Sequence, residues 1–267
     1  PILPSIGDYL PSLGARYESM APSGTGRVLV VDGRVRGMMC GYPVRKFFGN
    51  ADGVFVPVWA NLVDTDCSPA AATELYSACA EEWVRGGMTS HLINIFAHER
   101  ETFDALVRSG FGMRCVDAIR PATRIVPGGK APEVVPVEKD RVEKLAALHR
   151  QHNLYYRESP MFMPVEEEDP VKDLLDWLEP PDRYLFGYFE GDRCLGYARL
   201  QKTGDSIFSS HPSIMNVTAL YVTPEARRKS VGTALLDAAM AFLAEKGIPL
   251  GRSEERRVGK ECRSRWS

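Results

Sequence analysis

Long apolar runs are missing from this sequence. No stretch reaches the ~18–20 residues that a membrane-crossing helix needs. The longest candidate, Ala234–Ala244, is interrupted by Asp237 and is amphipathic. A basic segment followed by an apolar one, the mark of a secretory leader, is missing too. The chain opens at Pro1 without a Met, as expected of an N-terminus that is processed or missing. Six cysteines (Cys40, Cys67, Cys79, Cys115, Cys194, Cys262) are scattered with no CxxC pair. They read as free thiols of a reducing, cytoplasmic compartment rather than a disulfide framework or zinc site. The five histidines include no HExxH. His149 and His152 are three apart on an expected helix, but no carboxylate or third ligand stands near them in a recognisable pattern. They read as surface or packing residues, and no metal is expected. An excess of one charge is also missing: 33 Lys and Arg face 35 Asp and Glu, for a net −2. Bulk charge therefore points to no nucleic acid and no membrane as partner.

What is present is ordinary globular composition, 44% hydrophobic and 25% charged, over 267 residues. That length predicts two domains. A stretch rich in Pro and Gly near Arg120–Pro136 reads as the linker. After it, Lys139–His152 has apolar residues at helical spacing. Tyr184–Phe189 and Cys194–Leu200 flank a hairpin turn at Glu190-Gly191-Asp192. Ile214–Val222 is a third strand ended by Pro224, and Val231–Glu245 is an amphipathic helix stopped by Gly247. The first half repeats the order. Arg27–Val31 and Val35–Cys40 flank Asp32-Gly33, Val54–Val63 is a strand, and Ala70–Arg85 is a helix. A strand at His91–Phe96, a helix at Arg100–Arg108 and a strand at Met113–Ile119 follow.

The last sixteen residues, Arg252–Ser267, break the pattern. They show no apolar periodicity and hold six basic and three acidic residues. The segment resembles the conceptual translation of a DNA-sequencing adapter. On that reading the genuine sequence stops near Gly251, and the chain as written is expected to be unstable or inactive.

The stretch that carries chemistry is Leu220–Ala234, LYVTPEARRKSVGTA. A strand ends in a Pro turn, three cations follow, then small residues open a helix. The first turn of a helix offers free N–H groups and a positive dipole end to an anion. Ser230 and Gly232 let a diphosphate approach the backbone, and Arg227, Arg228 and Lys229 add charge at the rim.

These residues resemble the cofactor loop of the GCN5-related N-acetyltransferase (GNAT) superfamily, Arg/Gln-x-x-Gly-x-Gly/Ala after a strand of the type Leu-x-Val-x-Pro. Leu220, Val222 and Pro224 match the strand and turn. Arg227, Gly232 and Ala234 match the loop, and Ser230 departs from the family's glycine. The resemblance implies an α+β (α/β) chain of two acyl-CoA N-acyltransferase folds in tandem. Each would be a mixed, mainly antiparallel sheet flanked by helices, the second one truncated. Residues 1–125 would be a degenerate copy, 126–134 a linker, 135–251 the acetyl-CoA-binding domain and 252–267 a non-native tail. The first half has Asp64-Thr65-Asp66-Cys67-Ser68-Pro69 where the loop should be, and two aspartates repel a pyrophosphate. Leu106 stands there in place of the family's thiolate-protonating tyrosine.

The implied reaction moves an acetyl group from acetyl-CoA to a primary amine of a small molecule or peptide. Leu220, Tyr221 and Val222 would polarise the carbonyl, and Arg227, Arg228, Lys229, Ser230, Val231, Gly232, Thr233 and Ala234 would hold the cofactor. Asn216 and Thr218 stand where the family often has a carboxylate. The sequence does not identify the general base; Glu158 reads either as a solvated loop carboxylate or as a candidate base, with Tyr155, Tyr156 and Met161–Met163 as pocket neighbours. Glu166-Glu167-Glu168-Asp169 reads as a solvated acidic face. The alternative is a non-catalytic CoA-binding or scaffolding module. A monomer is expected.

Overall fold

The computed structural model describes residues 6–23, 25–47, 50–68, 70–123, 134–158, 168–203 and 211–255. The chain forms two compact units, Leu3–Arg114 and Cys115–Ser267.

In the first unit, helix α1 (Ile6–Met20) precedes a hairpin of β1 (Arg27–Val31) and β2 (Arg34–Met39). Asp32 and Gly33 both take positive φ, as the two-residue turn of such a hairpin requires. The sequence reads Val54–Val63 as one strand, but the structure breaks it at Pro57. Strand β3 (Tyr42–Val44) pairs with β4 (Gly53–Val56), a turn of 3-10 helix follows, and β5 (Asn61–Val63) joins β2 in a different sheet. Proline has no N–H for the ladder, so a strand running through it gives up its pairing there. Helix α2 (Ala71–Arg85) buries Leu75, Cys79 and Trp83 against Met39, Val54 and Val56. Strand β6 (Ser90–Ile93) lies parallel to β4, and α3 (Arg100–Arg108) follows.

The second unit is built on one six-stranded sheet. The strand expected to close the first half, Met113–Ile119, appears as β7 (Val116–Pro121) and belongs to this sheet. Strand β8 (Val134–Pro136) leads to a 3-10 helix, Lys139–Leu145, and then α4 (Ala146–Tyr155). Helix α5 (Pro170–Trp177) is capped by Asp169, whose carboxylate accepts from the Val171 N–H at 2.9 Å, with Pro170 in the first turn. Glu168 and Asp169 are exposed, as a solvated acidic face requires, and Asp169 is also a cap; Glu166, Glu167 and Met161–Met163 lie outside the described residues. Next come β9 (Arg183–Glu190), β10 (Arg193–Gln201), β11 (Ile214–Val222), α6 (Val231–Glu245) and β12 (Leu250–Glu255). The spatial order is β7-β12-β11-β10-β9-β8, with only β11 and β12 parallel. Both units share the series hairpin, third strand, helix, parallel strand.

The sheet has an apolar layer on each face. On one, Leu235, Ala239, Met240 and Leu243 of α6 meet Ala198, Leu200, Met215 and Val217. On the other, Leu145, Leu148 and Leu174 meet Leu185, Phe189, Tyr197 and Tyr221. Burying one such side chain contributes roughly 1.5–3 kcal/mol. The segment Arg252–Glu255, read from the sequence as the start of a non-native tail, continues β12. Gly251, Arg252 and Ser253 pair with Arg120, Ile119 and Ala118 of β7, and Arg252 makes a 2.7 Å ion pair with Asp117. Strand pairing on both sides supplies what the sequence pattern lacks. Residues 256–267 lie outside the described residues.

Candidate active site

The loop between β11 and α6 is fixed at both ends. Thr223 donates its N–H to the Leu195 carbonyl at 2.9 Å, and Pro224–Ala226 forms a 3-10 turn. Arg228 and Ser230 both take φ 63°. Ser230 is the N-cap of α6 in the left-handed conformation, with no side-chain cap bond. The first intrahelical bond runs from the Ala234 N–H to the Ser230 carbonyl at 2.9 Å. The N–H groups of Val231, Gly232 and Thr233 precede it and have no acceptor in their own helix. Arg228, Lys229 and Ser230 are exposed beside them, whereas Val231, Ala234 and Leu235 are buried and anchor the turn. That anchoring needs Gly196: a Cβ there would stand 3.0 Å from Leu235 Cδ1 and 3.1 Å from both Val231 Cγ1 and the Tyr221 carbonyl.

Strand β11 changes partner along its length. Ile214–Val217 pairs with Leu250–Ser253 of β12, and that pairing goes no further. The β10 register slips at the same place: Arg199 faces Ala219 and Leu200 faces Val217, so Thr218 is an extra residue. The bulge reverses which face each side chain joins. Met215 and Val217 face α6 before it, and Ala219 and Tyr221 face α4 after it. Beyond the bulge the edge of β11 toward β12 is open among the described residues. The Thr223 N–H points to β10, so by strand alternation the backbone groups of Leu220 and Val222 point to the open edge. The Val222 carbonyl there accepts from Arg227 Nε at 3.2 Å.

Arg227 is exposed at the start of the loop. Its guanidinium turns back over Tyr155, 5.4 Å from the ring centre, and Tyr221, at 5.7 Å. A cavity of about 400 Å³ opens here, lined by Gln151, Leu154, Tyr155 and Glu158 from α4 and its end, and by Tyr221, Pro224, Glu225 and Arg227. Glu158 and the loop's first arginine are thus brought together, 69 residues apart in sequence. Glu225 is ion-paired with Arg193. Burial raises the Tyr221 hydroxyl above its ordinary pKa, with Arg227 opposing.

Behind Tyr221 lies a buried polar chain that sequence reasoning missed. His149 and His152 are 2% and 5% exposed, which makes them packing residues and not surface ones. His149 Nε2 bonds the Asp173 carboxylate from α5, and its Nδ1 lies 2.9 Å from the Tyr197 hydroxyl. His152 Nδ1 lies 2.6 Å from the same hydroxyl. A carboxylate only accepts, so Nε2 of His149 carries a proton and, in the neutral ring, Nδ1 accepts from Tyr197. The Tyr197 oxygen then accepts from His152. Arg199 Nη2 adds a 3.1 Å bond to Asp173 and its guanidinium lies 5.1 Å from the Trp177 ring centre. The His149 bond first, and Arg199 second, hold Asp173 down at about 2. Burial pushes Tyr197 well above the ordinary tyrosine range. His152 stacks on Tyr221 at 4.9 Å, which ties this chain to the cavity wall. The i, i+3 histidine spacing was visible in the sequence, but its carboxylate comes from 24 residues downstream.

Among the described residues no group of three or more His, Cys, Asp or Glu is placed to hold a metal ion, and no helix is long and apolar enough to cross a membrane. Cys40, Cys67, Cys79, Cys115 and Cys194 are in no disulfide, and burial raises Cys79 and Cys194 to about 11. Cys262 lies outside the described residues. In the first unit Asp64 and Asp66 both close on Arg36, Asp64 at 2.8 Å. Leu106 is 6% exposed and packs inward.

Comparison by sequence with curated proteins gives no match. Among the solved structures that match, two illustrate the shared fold. One is the GCN5-related glucosamine N-acetyltransferase region of a fungal multi-domain GH3 β-N-acetylglucosaminidase. It is 14% identical with a TM-score of 0.53, over 85% of this chain and 29% of that one. The other is a GCN5-related N-acetyltransferase from Sphaerobacter thermophilus, 14% identical with a TM-score of 0.53 over 88% of this chain and 73% of that one. The chain thus spans under a third of the first and about three quarters of the second. A sequence model of the acetyltransferase (GNAT) family matches residues 148–250, from α4 through the loop and α6 to the start of β12. Residues 148–250, in the second unit, thus match the acetyltransferase (GNAT) family, on a fold that solved GCN5-related N-acetyltransferases share.

Proposed function

We propose that the second unit is an N-acetyltransferase that transfers an acetyl group from acetyl-CoA to a primary amine of a small molecule or peptide. The observation that carries this reading is the coincidence, within one loop and strand, of an uncapped helix N-terminus and an opened strand edge. The residues fit the cosubstrate: Ser230 offers no side chain to the first-turn N–H groups of α6, which leaves them for a diphosphate. Val231, Gly232 and Thr233 would hold it through the backbone, with Arg228 and Lys229 adding charge and Ala234 keeping the turn packed.

Acetyl-CoA supplies the activated acyl group. Leu220 and Val222 aim backbone groups at the open edge, where an N–H polarises a carbonyl without reorganising. Tyr221, between them, walls the neighbouring cavity. Glu158 lines that cavity and is the carboxylate we assign to the proton of the attacking amine. The first unit is proposed not to bind acetyl-CoA, because its corresponding loop carries two aspartates held by Arg36. The free thiols fit a cytoplasmic protein.

Thiol release over a panel of amines tests the reading, together with CoA binding to the double variant Arg228→Glu, Lys229→Glu. Both positions are exposed, so the fold should survive. Affinity should fall at least about tenfold, as expected when two cations beside a pyrophosphate become anions. CoA binding without thiol release from any amine would instead leave a non-catalytic module. Unchanged binding in the variant would remove the loop from the site.

A further inference from the structure

Two tyrosines in the cavity wall present their faces to the same cation. Tyr155, at the end of α4, and Tyr221, on β11, have ring centres 6.0 Å apart with planes inclined at 54°. The Arg227 guanidinium lies 5.4 Å from one centre and 5.7 Å from the other. Both distances are within the range at which the ring quadrupole attracts a cation. The bulge at Thr218 is what turns Tyr221 to this face, and the stacked His152 holds the back of its ring. Of the two carboxylates in the cavity, Glu225 is engaged by Arg193, which leaves Glu158 to balance a cation over the rings. Aromatic faces and one carboxylate favour a positive ligand over a neutral or negative one of the same shape.

We infer that Tyr155, Tyr221 and Glu158 form a seat for an organic ammonium, that Arg227 is its internal occupant, and that the acetyl acceptor is a cationic amine. The seat itself stands on geometry alone; its assignment to the acceptor rests on the acetyltransferase reading. Tyr221 lies between Leu220 and Val222, so its ring is carried by the same strand segment whose backbone groups reach the open edge. An entering cation and the Arg227 guanidinium exclude each other.

The test uses the full chain and three probes of one shape: tetramethylammonium, tert-butanol and pivalate. Binding is read from the ring signals of labelled tyrosines. Tetramethylammonium should shift them saturably, with the other two at least about tenfold weaker, as cation–π attraction to two rings requires. Arg227→Gln should tighten tetramethylammonium several-fold by removing the competitor. Tyr155→Leu should weaken it about three- to fivefold, the share of one ring, and Tyr155→Phe should restore it. Equal binding of tert-butanol, or weaker cation binding in Arg227→Gln, would overturn the seat. Thiol release from a diamine and from a size-matched amino acid, run alongside, separates the two ideas. Cation binding with no thiol released from either amine sinks the acetyltransferase reading and leaves the seat. Thiol release that is equal for the two amines, with no cation preference in binding, sinks the inference and leaves the acetyltransferase.

Discussion

Asp173→Asn should destabilise the second unit at neutral pH and do progressively less in acid. Asp173 is the only carboxylate bonded to both His149 and Arg199 among the described residues, and its side chain is 30% exposed. Those partners take it from an ordinary 3.8 to about 2. A carboxylate depressed on folding stabilises the protein above its unfolded pKa, and loses that contribution as pH falls through the folded value. The shift corresponds to about 2 kcal/mol at pH 7, falling to about half near pH 3. Asparagine keeps one acceptor but leaves Arg199, whose side chain is only 13% exposed, without its counter-charge. The loss at pH 7 should therefore reach about 2–3 kcal/mol. Amide exchange in β10, which carries Tyr197 and Arg199, confines the measurement to this unit. The gap between wild type and variant should begin to narrow below pH 5, be about halved near pH 3, and close as pH falls through about 2. A deficit that is the same at pH 7 and pH 3 would show that Asp173 acts by packing or capping and not by charge, and the argument would fail.

Ser230→Gly should raise stability by about 0.5–1 kcal/mol, since φ 63° strains a residue with a Cβ and no cap bond is lost; thermal unfolding measures it, and a lower Tm would refute the strain. Gly196→Val should cost about 1–3 kcal/mol by overpacking, because the added carbon meets Leu235, Val231 and the Tyr221 carbonyl. CoA binding should fall with it, as the first turn of α6 is pushed from the sheet; full CoA affinity in a folded Gly196→Val protein would show that this close approach does not position the loop. Leu235→Ala, at a site with no exposure, should cost about 2–5 kcal/mol in urea titration, and a loss under about 1 kcal/mol would mean that the site collapses around the smaller side chain.

Elements with strong periodicity were legible in the sequence. Ile214–Val222 and Val231–Glu245 appear with the ends that Pro224 and Gly247 predict. The family's glycine at the Ser230 position also gains a reason, a backbone with positive φ. What escaped depends on contacts distant in sequence. Helix α5 is eight residues long, too short for a period to stand out, although its Asp169-Pro170 start is a capping signal. Strand β12 has Gly, Arg, Ser and Glu in place of alternating apolar residues, and forms because β11 and β7 pair with it on either side. Strand β7 was given to the wrong half because chain order, not pairing, was the guide. The side-chain chain from Asp173 to His152 crosses α5, α4 and β10, and no local pattern announces it.

The bulge at Thr218 links the separate features of the site. An unbulged β11 would keep one parity from Met215 onward, and Tyr221 would face α6 with Met215 and Val217. It would then meet neither His152 nor Tyr155, and Arg227 would have no pair of rings to cover. The same extra residue falls where pairing with β12 stops, so the backbone edge opens as Tyr221 changes sides. Thr218 itself leaves its buried hydroxyl oxygen without a hydrogen-bond partner, a local cost of the irregularity. Such a cost in the middle of a six-stranded sheet with an apolar layer on each face is hard to account for by stability alone. It is accounted for if the opened edge and the turned tyrosine are needed together, one for the acyl group and the other for the amine that takes it.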